Sequence, residues 1–144
     1  MTIRPAVPTD TEQLVDLLKA FGSVHEPELN DRISTVIDKN DSFLIVAEND
    51  GKLTGYVWVQ SYGRHLRSGH ITARLNDLFV LPEFRNQNIG RQLFEATKEW
   101  AKHNGVKYLQ WQANSASIPF YEKLGLTGDT KSDLEEHPFY EIEF

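Results

Sequence analysis

A chain of 144 residues with 40% hydrophobic and 25% charged content has the make-up of one soluble globular domain, long enough to bury a core of its own. It contains no cysteine, which excludes a disulfide framework, a thiol nucleophile and a cysteine-ligated metal. The formal net charge of −6 argues against nonspecific nucleic-acid binding, and with no membrane-length apolar run and no signal-peptide pattern the expected location is the cytoplasm.

The chain opens with a short strand, Thr2 to Arg4, ended by Pro5. Thr9 and Glu12 have capping-box spacing, and Leu14, Leu17, Leu18 and Phe21 form the apolar stripe of a helix that Gly22 stops. A second helix is expected from about Pro27, with Leu29, Ile33, Val36 and Ile37 as its buried face. Phe43 to Glu48 reads as a strand, and Asp50-Gly51 as a tight hairpin turn into a strand from Leu53 to Gln60. A loop from Ser61 to His70 precedes a strand from Ile71 to Leu81, long enough to carry a bulge midway. Ile89, Leu93, Phe94, Thr97, Trp100 and Ala101 recur at helical spacing up to Asn104-Gly105. Val106 to Trp111 is a further strand, Pro119 to Leu124 a short helix closed by Gly125, and Phe139 to Phe144 a last strand beyond a polar loop, Asp129 to His137. With one more short strand near Leu126, the order predicts a mixed α/β domain spanning residues 1–144, its consecutive central strands antiparallel.

The informative stretch is Leu75 to Leu93. An apolar run ends at Pro82, a polar loop follows, and a helix opens near Asn88–Gly90. Such a turn leaves the first helical N–H groups unpaired at the positive end of the helix dipole, which makes an anion site suited to phosphate. Arg85-Asn-Gln-Asn-Ile-Gly90 resembles motif A of the GCN5-related N-acetyltransferase (GNAT) family, a loop that commonly reads Arg/Gln-x-x-Gly-x-Gly/Ala and grips the pyrophosphate of acetyl-coenzyme A. Asn88 stands where the first glycine is expected and Asn86 where many members carry another, and asparagine tolerates positive φ better than other non-glycine residues. About thirty residues on, Asn114-Ser-Ala-Ser117-Ile-Pro-Phe-Tyr121-Glu-Lys-Leu-Gly125 is similar to the family's motif B, and the order of elements is similar along the whole chain.

The resemblance implies the acyl-CoA N-acyltransferase (GNAT) fold, a mixed, mainly antiparallel sheet of six to seven strands with about four helices, and acetyl transfer from acetyl-CoA to a primary amine by direct attack. It implies that Arg85, Asn86, Gln87, Asn88, Ile89, Gly90 and Arg91 cradle the pyrophosphate, that Leu78, Phe79 and Val80 pair with the pantetheine arm, and that Asn114 and Ser117 touch the coenzyme. Tyr121 is the candidate general acid for the departing thiolate. Asp77, the only carboxylate in its strand, is the candidate base for the amine. Neighbouring Asn76 stands where some polyamine-type members carry Glu, and strict alternation lets only one of the pair face the acceptor. Without the resemblance, Asp77 reads equally well as a structural carboxylate paired with Arg64, Arg67 or Arg74, and Tyr121 as an aromatic that packs its helix on the sheet. His65, His70 and His137 are substitute bases; no His or carboxylate pair has metal-ligand spacing, and the family needs no metal.

The family's acceptor pocket draws on the first two helices, the loop after the third strand and the last loop. Here those segments hold Glu26, Glu28 and Asp31, then Tyr62, Arg64 and His65, then Asp133, Glu135, Glu136 and Tyr140. The carboxylates favour a polyamine, an aminoglycoside or a lysine-like amine, a small polyamine-like cation first, with a peptide or protein amine as the alternative; Arg64 and Arg67 suit an acceptor bearing a carboxylate or phosphate. A non-catalytic acyl-CoA sensor on the same fold is the competing class, and a homodimer is compatible with either. A nucleotide-binding domain would need the Gly-Lys-Ser/Thr signature that the chain lacks.

Overall fold

Asp50 and Gly51 both lie at positive φ, 49° and 79°, as a two-residue hairpin with right-twisted arms requires. They join β2 (Ser42–Asn49) to β3 (Lys52–Arg64), the middle of a five-stranded sheet in the order β1-β2-β3-β4-β5. This is a computed structural model that describes residues 1–129, 138 and 140–144. β1 (Thr2–Pro5) pairs with β2, and β4 (Ile71–Val80) with β3, all antiparallel; β5 (Val106–Gln110) runs parallel to β4. The contacts divide the chain into two compact units, 1–111 and 112–144.

In the first unit the sheet carries helices on both faces. Leu14 and Leu17 of α1 (Thr11–Phe21) and Leu29 and Ile33 of α2 (Leu29–Asp38) bury against Val46, Leu53, Tyr56 and Phe79. The opposite face carries α3 (Ile89–His103), whose Ile89, Leu93, Phe94, Thr97 and Ala101 are buried. The ring of Trp100 stacks on Phe43 at 5.0 Å. Gly55 lets α3 lie this close: a Cβ there would stand 2.6 Å from the Phe79 carbonyl and 3.3 Å from Leu93.

Four details differ from the sequence expectations. Thr9 and Glu12 do not cap α1. A single 3-10 turn, Pro8–Asp10, leads in, and the buried Asp10 carboxylate accepts the Val7 N–H and two bonds from the Arg4 guanidinium at 2.8 and 2.9 Å. Arg4 also binds Glu48, so this charge cluster ties β1 to β2 and to the helix start, and the guanidinium holds the Asp10 carboxyl below its ordinary range. The second helix starts at Leu29 rather than Pro27, because Glu28 takes φ 59° and the Arg32 guanidinium holds the turn through the carbonyls of His25 and Pro27. β3 runs on to Arg64, through residues expected in a loop. In the stripe of α1, Phe21 stays half exposed, although its ring meets Phe79 edge-on at 5.1 Å.

The second unit contains α4 (Ile118–Lys123). Asn114 Oδ1 accepts both the backbone N–H and the hydroxyl of Ser117, at 2.9 and 2.6 Å, and so fixes the turn into the helix. Gly125 at φ 82° ends it, its N–H bonded to the Glu122 carbonyl. The strands expected near Leu126 and over Phe139 to Phe144 are absent from the described residues 126–129 and 140–144, so the described sheet has five strands rather than six or seven. Tyr140, Ile142 and Phe144 alternate as a strand would, but all three are exposed: alternation makes a strand only where another edge supplies ladder bonds. Asp133, Glu135, Glu136, His137 and Phe139 lie outside the described residues.

Candidate active site

Two features of the first unit form the candidate site, and both follow from how β4 is held. The first is an open edge. β5 pairs with β4 only through Ile71 to Arg74, so from Leu75 to Val80 that side of β4 has no ladder partner among the described residues. Leu78, Phe79 and Val80 lie on this stretch. Beyond it, the Leu81 N–H bonds Thr54 O at 2.9 Å and a 3-10 turn, Pro82–Phe84, leads into the loop. Arg85 turns back, its Nε donating to the Val80 carbonyl at 3.0 Å and its guanidinium lying 5.7 Å from the Phe79 ring.

Asn86 and Asn88 both adopt the left-handed conformation, at φ 61° and 67°, as the glycines they replace would. Asn86, Gln87 and Asn88 are exposed, while Ile89 is buried and anchors the helix start. The first bond of α3 runs from Gln92 N–H to Asn88 O at 3.1 Å, so the N–H groups of Ile89, Gly90 and Arg91 precede the helical ladder at its positive end. An anion fits this terminus, and an extended chain with amide groups fits the open edge beside it.

The second feature lies on the α1/α2 face. β4 carries one extra residue: Trp58 pairs with Asp77 and Val59 with Leu75, which leaves Asn76 as a bulge. The bulge breaks the alternation that would allow only one of Asn76 and Asp77 to face the helices. Asn76 Nδ2 donates to Gln60 Oε1 at 2.9 Å and Asp77 Oδ2 accepts from the Tyr56 hydroxyl at 3.0 Å, and Tyr56, Trp58 and Gln60 alternate on one face of β3. Burial pushes the Asp77 carboxyl above the ordinary carboxylate range, and the Tyr56 bond pulls it part of the way back. Burial, and then the Asp77 charge, push the Tyr56 hydroxyl far up, so Tyr56 stays a donor. The Asp77 partner is thus a tyrosine and not Arg64, Arg67 or Arg74.

Asp77, Tyr56 and Trp58 line a cleft of about 610 Å³ with Leu18, Leu29 and Ile33. Glu28 and Asp31 of the expected acidic residues also line it. Glu26 is bound to Lys19 on the surface, and Tyr62, Arg64 and His65 lie at the exposed far end of β3. Sequence reasoning passes over Tyr56 and Trp58. Their signal is two aromatics with polar tips, two residues apart on one strand face. The three site candidates of the second unit, Asn114, Ser117 and Tyr121, lie around α4, and burial raises the Tyr121 hydroxyl above its ordinary value.

The chain matches the Acetyltransferase (GNAT) family over residues 11–126, across both units. It is 26% identical over 138 residues to the uncharacterized N-acetyltransferase YhfO of Bacillus subtilis (strain 168), covering 90% of this chain and 92% of that one. It is 28% identical over 108 residues to an aminoglycoside N(6')-acetyltransferase type 1 of Klebsiella aerogenes, covering 72% of this chain and 70% of that one. The crystal structure of glucosamine-6-phosphate N-acetyltransferase from Arabidopsis thaliana superposes with a TM-score of 0.78 at 22% identity, over 90% of this chain and 92% of that one, a likeness of fold. With the family match spanning most of its length, the chain belongs to the GNAT family and is an acetyl-CoA-dependent N-acetyltransferase.

Proposed function

We propose that the two units work as one acetyltransferase domain and acetylate a small primary amine that arrives as a cation. The observation that carries this reading is the juxtaposition in β4: a carboxylate facing a cleft, followed directly by an unpaired strand edge that ends at a left-handed loop and a helix N-terminus. In this reading the N–H groups of Ile89, Gly90 and Arg91 hold the pyrophosphate, the turns at Asn86 and Asn88 aim them, and Arg85 and Arg91 add positive charge. Gln87 lies in the same loop. Leu78, Phe79 and Val80 offer their backbone edge to the pantetheine arm, with Asn114 and Ser117 as further contacts from the second unit. When bound, acetyl-CoA supplies the acetyl group as a thioester.

Asp77 accepts a proton from the ammonium form of the acceptor, which frees the nitrogen lone pair for attack. Its raised carboxyl value makes it a better proton acceptor than an exposed aspartate, and its Tyr56 bond fixes the second oxygen. Tyr121 Oη gives its proton to the leaving sulfur. The hydroxyl is protonated at neutral pH, as a general acid must be, and burial, which raises it further, makes it a weaker acid than an exposed tyrosine. The balance is one N–C bond formed and one C–S bond broken: the ammonium proton goes to Asp77, the tyrosine proton to sulfur, and the second proton that the nitrogen sheds as the amide forms returns to Tyr121 through solvent. Relatives named for aminoglycoside and glucosamine 6-phosphate acetylation support an amine nitrogen as acceptor without fixing its carrier.

Calorimetry with acetyl-CoA, followed by thiol release over an amine panel, tests the reading. Tyr121→Phe is expected to lower kcat by about 10²-fold with little change in acetyl-CoA binding. No heat with coenzyme A at millimolar concentration, or a fully active Tyr121→Phe enzyme, overturns the corresponding part.

A further inference from the structure

Asp77 enters the cleft on the α1/α2 face with a carboxylate held by a single side chain. The Tyr56 hydroxyl donates to Oδ2 at 3.0 Å, and no other hydrogen bond reaches the carboxylate among the described residues. The terminal torsion of an aspartate is broad and soft, so without that bond the two oxygens would exchange places freely. The donor is fixed where the acceptor is not. Tyr56 is 1% exposed, belongs to the core cluster with Leu14, Leu17 and Ile33, and carries its ring 6.4 Å from that of Phe79. Its backbone is paired on both sides, with Val46 of β2 and Phe79 of β4. Asp77 pairs with Trp58, two residues further along β3, so the hydroxyl crosses the ladder to a diagonal neighbour on the same face.

A buried tyrosine hydroxyl needs an acceptor, and for stability alone a backbone carbonyl would serve. Here the acceptor is, among the described residues, the one carboxylate lining the cleft that is not exposed. The other titratable or charged side chains lining it are His25, Glu28, Asp31 and Arg32, from α2 and the segment before it; α1 contributes Leu14 and Leu18, and β2 contributes Leu44. All four are exposed, and the Arg32 guanidinium is held by two backbone carbonyls, so solvent screens them from Asp77. What acts on the carboxylate is burial, which disfavours its charged form, and the Tyr56 bond, which favours it.

We propose that Tyr56 is a positioning residue of the acetyl transfer: its hydroxyl holds Oδ2 so that Oδ1 meets the acceptor's ammonium group, and it sets the lower pH limit of the reaction. The proposal rests on the acetyl-transfer reading and adds its control by pH. A proton passes from the nitrogen to Oδ1, the nitrogen keeps the electron pair and forms the N–C bond, and sulfur leaves with the C–S pair and the Tyr121 proton. The second nitrogen proton leaves through solvent. Asp77 takes a proton only while it is ionised, and the Tyr56 bond keeps it ionised to lower pH than burial alone would allow.

The test is the pH profile of kcat/KM with acetyl-CoA and the fastest acceptor among 2-phenylethylamine, spermidine, kanamycin, glucosamine 6-phosphate and a lysine-containing peptide. In Tyr56→Phe, which keeps the ring in the core, the acid limb is expected to move up by about one to two pH units, the size of one hydrogen bond to a charged group. The plateau above it should fall as well, because the carboxylate loses its fixed orientation. A merely structural tyrosine would lower Tm and leave the limb in place. One measurement needs no variant to fold: in the wild-type enzyme the NMR shift of the hydroxyl-bearing ring carbon of Tyr56 should titrate with the midpoint of the acid limb, since its partner is the group that limits the rate. An acid limb unmoved in Tyr56→Phe, one that moves as far in His25→Gln, or a wild-type Tyr56 signal with a different midpoint overturns the proposal and leaves acetyl transfer standing. A fully active Asp77→Asn enzyme, or no thiol release on any of the amines, overturns the reading beneath it.

Discussion

The two faces of β4's second half are built on different principles. On the proposed coenzyme side the groups are backbone: a strand edge with no ladder partner among the described residues, three N–H groups at the start of α3, and two asparagines at positive φ. On the proposed acceptor side they are side chains: Asp77, Tyr56 and Trp58, brought together from two strands by a bulge. A backbone site tolerates side-chain change as long as the chain path survives. A side-chain site fails when one atom is exchanged.

The sharpest way to break this contrast is Asp77→Asn, which keeps an acceptor for the Tyr56 hydroxyl and removes only the proposed proton acceptor. A fall in kcat of about 10²–10⁴-fold is expected, with coenzyme affinity within about twofold of wild type by calorimetry. The same change should stabilise the fold at neutral pH. Because burial raises the folded Asp77 carboxyl, its contribution to stability is fully present below the ordinary carboxylate range and is lost as pH rises through the raised folded value. The gain in Tm of Asp77→Asn over wild type should therefore grow from about pH 4 to about pH 7, and kcat of wild type should fall as pH drops through the same raised value. Full activity in the Asp77→Asn enzyme would move the base elsewhere.

On the coenzyme side the largest effect should come from packing and not from the loop. Leu93→Ala, at a fully buried position where α3 packs on β3, is expected to cost about 2–5 kcal/mol of stability in denaturant unfolding and to weaken coenzyme binding with it. The smallest effect sharpens the comparison. Asn88→Gly should leave the fold within about 1 kcal/mol of wild type, and coenzyme affinity equal or tighter, because glycine accepts φ 67° without a side chain beside the phosphates. A tenfold loss of affinity would show that the Asn88 side chain itself is part of the cradle.

This contrast also explains what can be read in advance. The loop is legible because its geometry is local: Pro82 ends a strand, Asn86 and Asn88 permit left-handed turns, and Ile89, Leu93 and Phe94 set the helix phase. Asp77 is legible as a lone carboxylate in an apolar strand. Its partner is not, because Tyr56 is 21 residues away and reaches it only through the β3–β4 register. The capping of α1 escapes for the same reason. Asp10 is claimed by Arg4 and by the Val7 N–H, and that tertiary bond displaces the Thr9–Glu12 pair favoured by local spacing.

The inserted Asn76 acts as a half-period phase slip in β4. Leu75 and Asp77, both odd-numbered, would share a side in an unbroken strand; here Leu75 opposes Val59, on the side of α3, and Asp77 opposes Trp58, on the other. The two halves of the strand are thereby uncoupled. Deleting residue 76 would make the ladder regular, with Leu75 still opposite Val59 and the carboxylate still opposite Trp58, and would remove the Asn76–Gln60 bond and the local twist while keeping both faces in step.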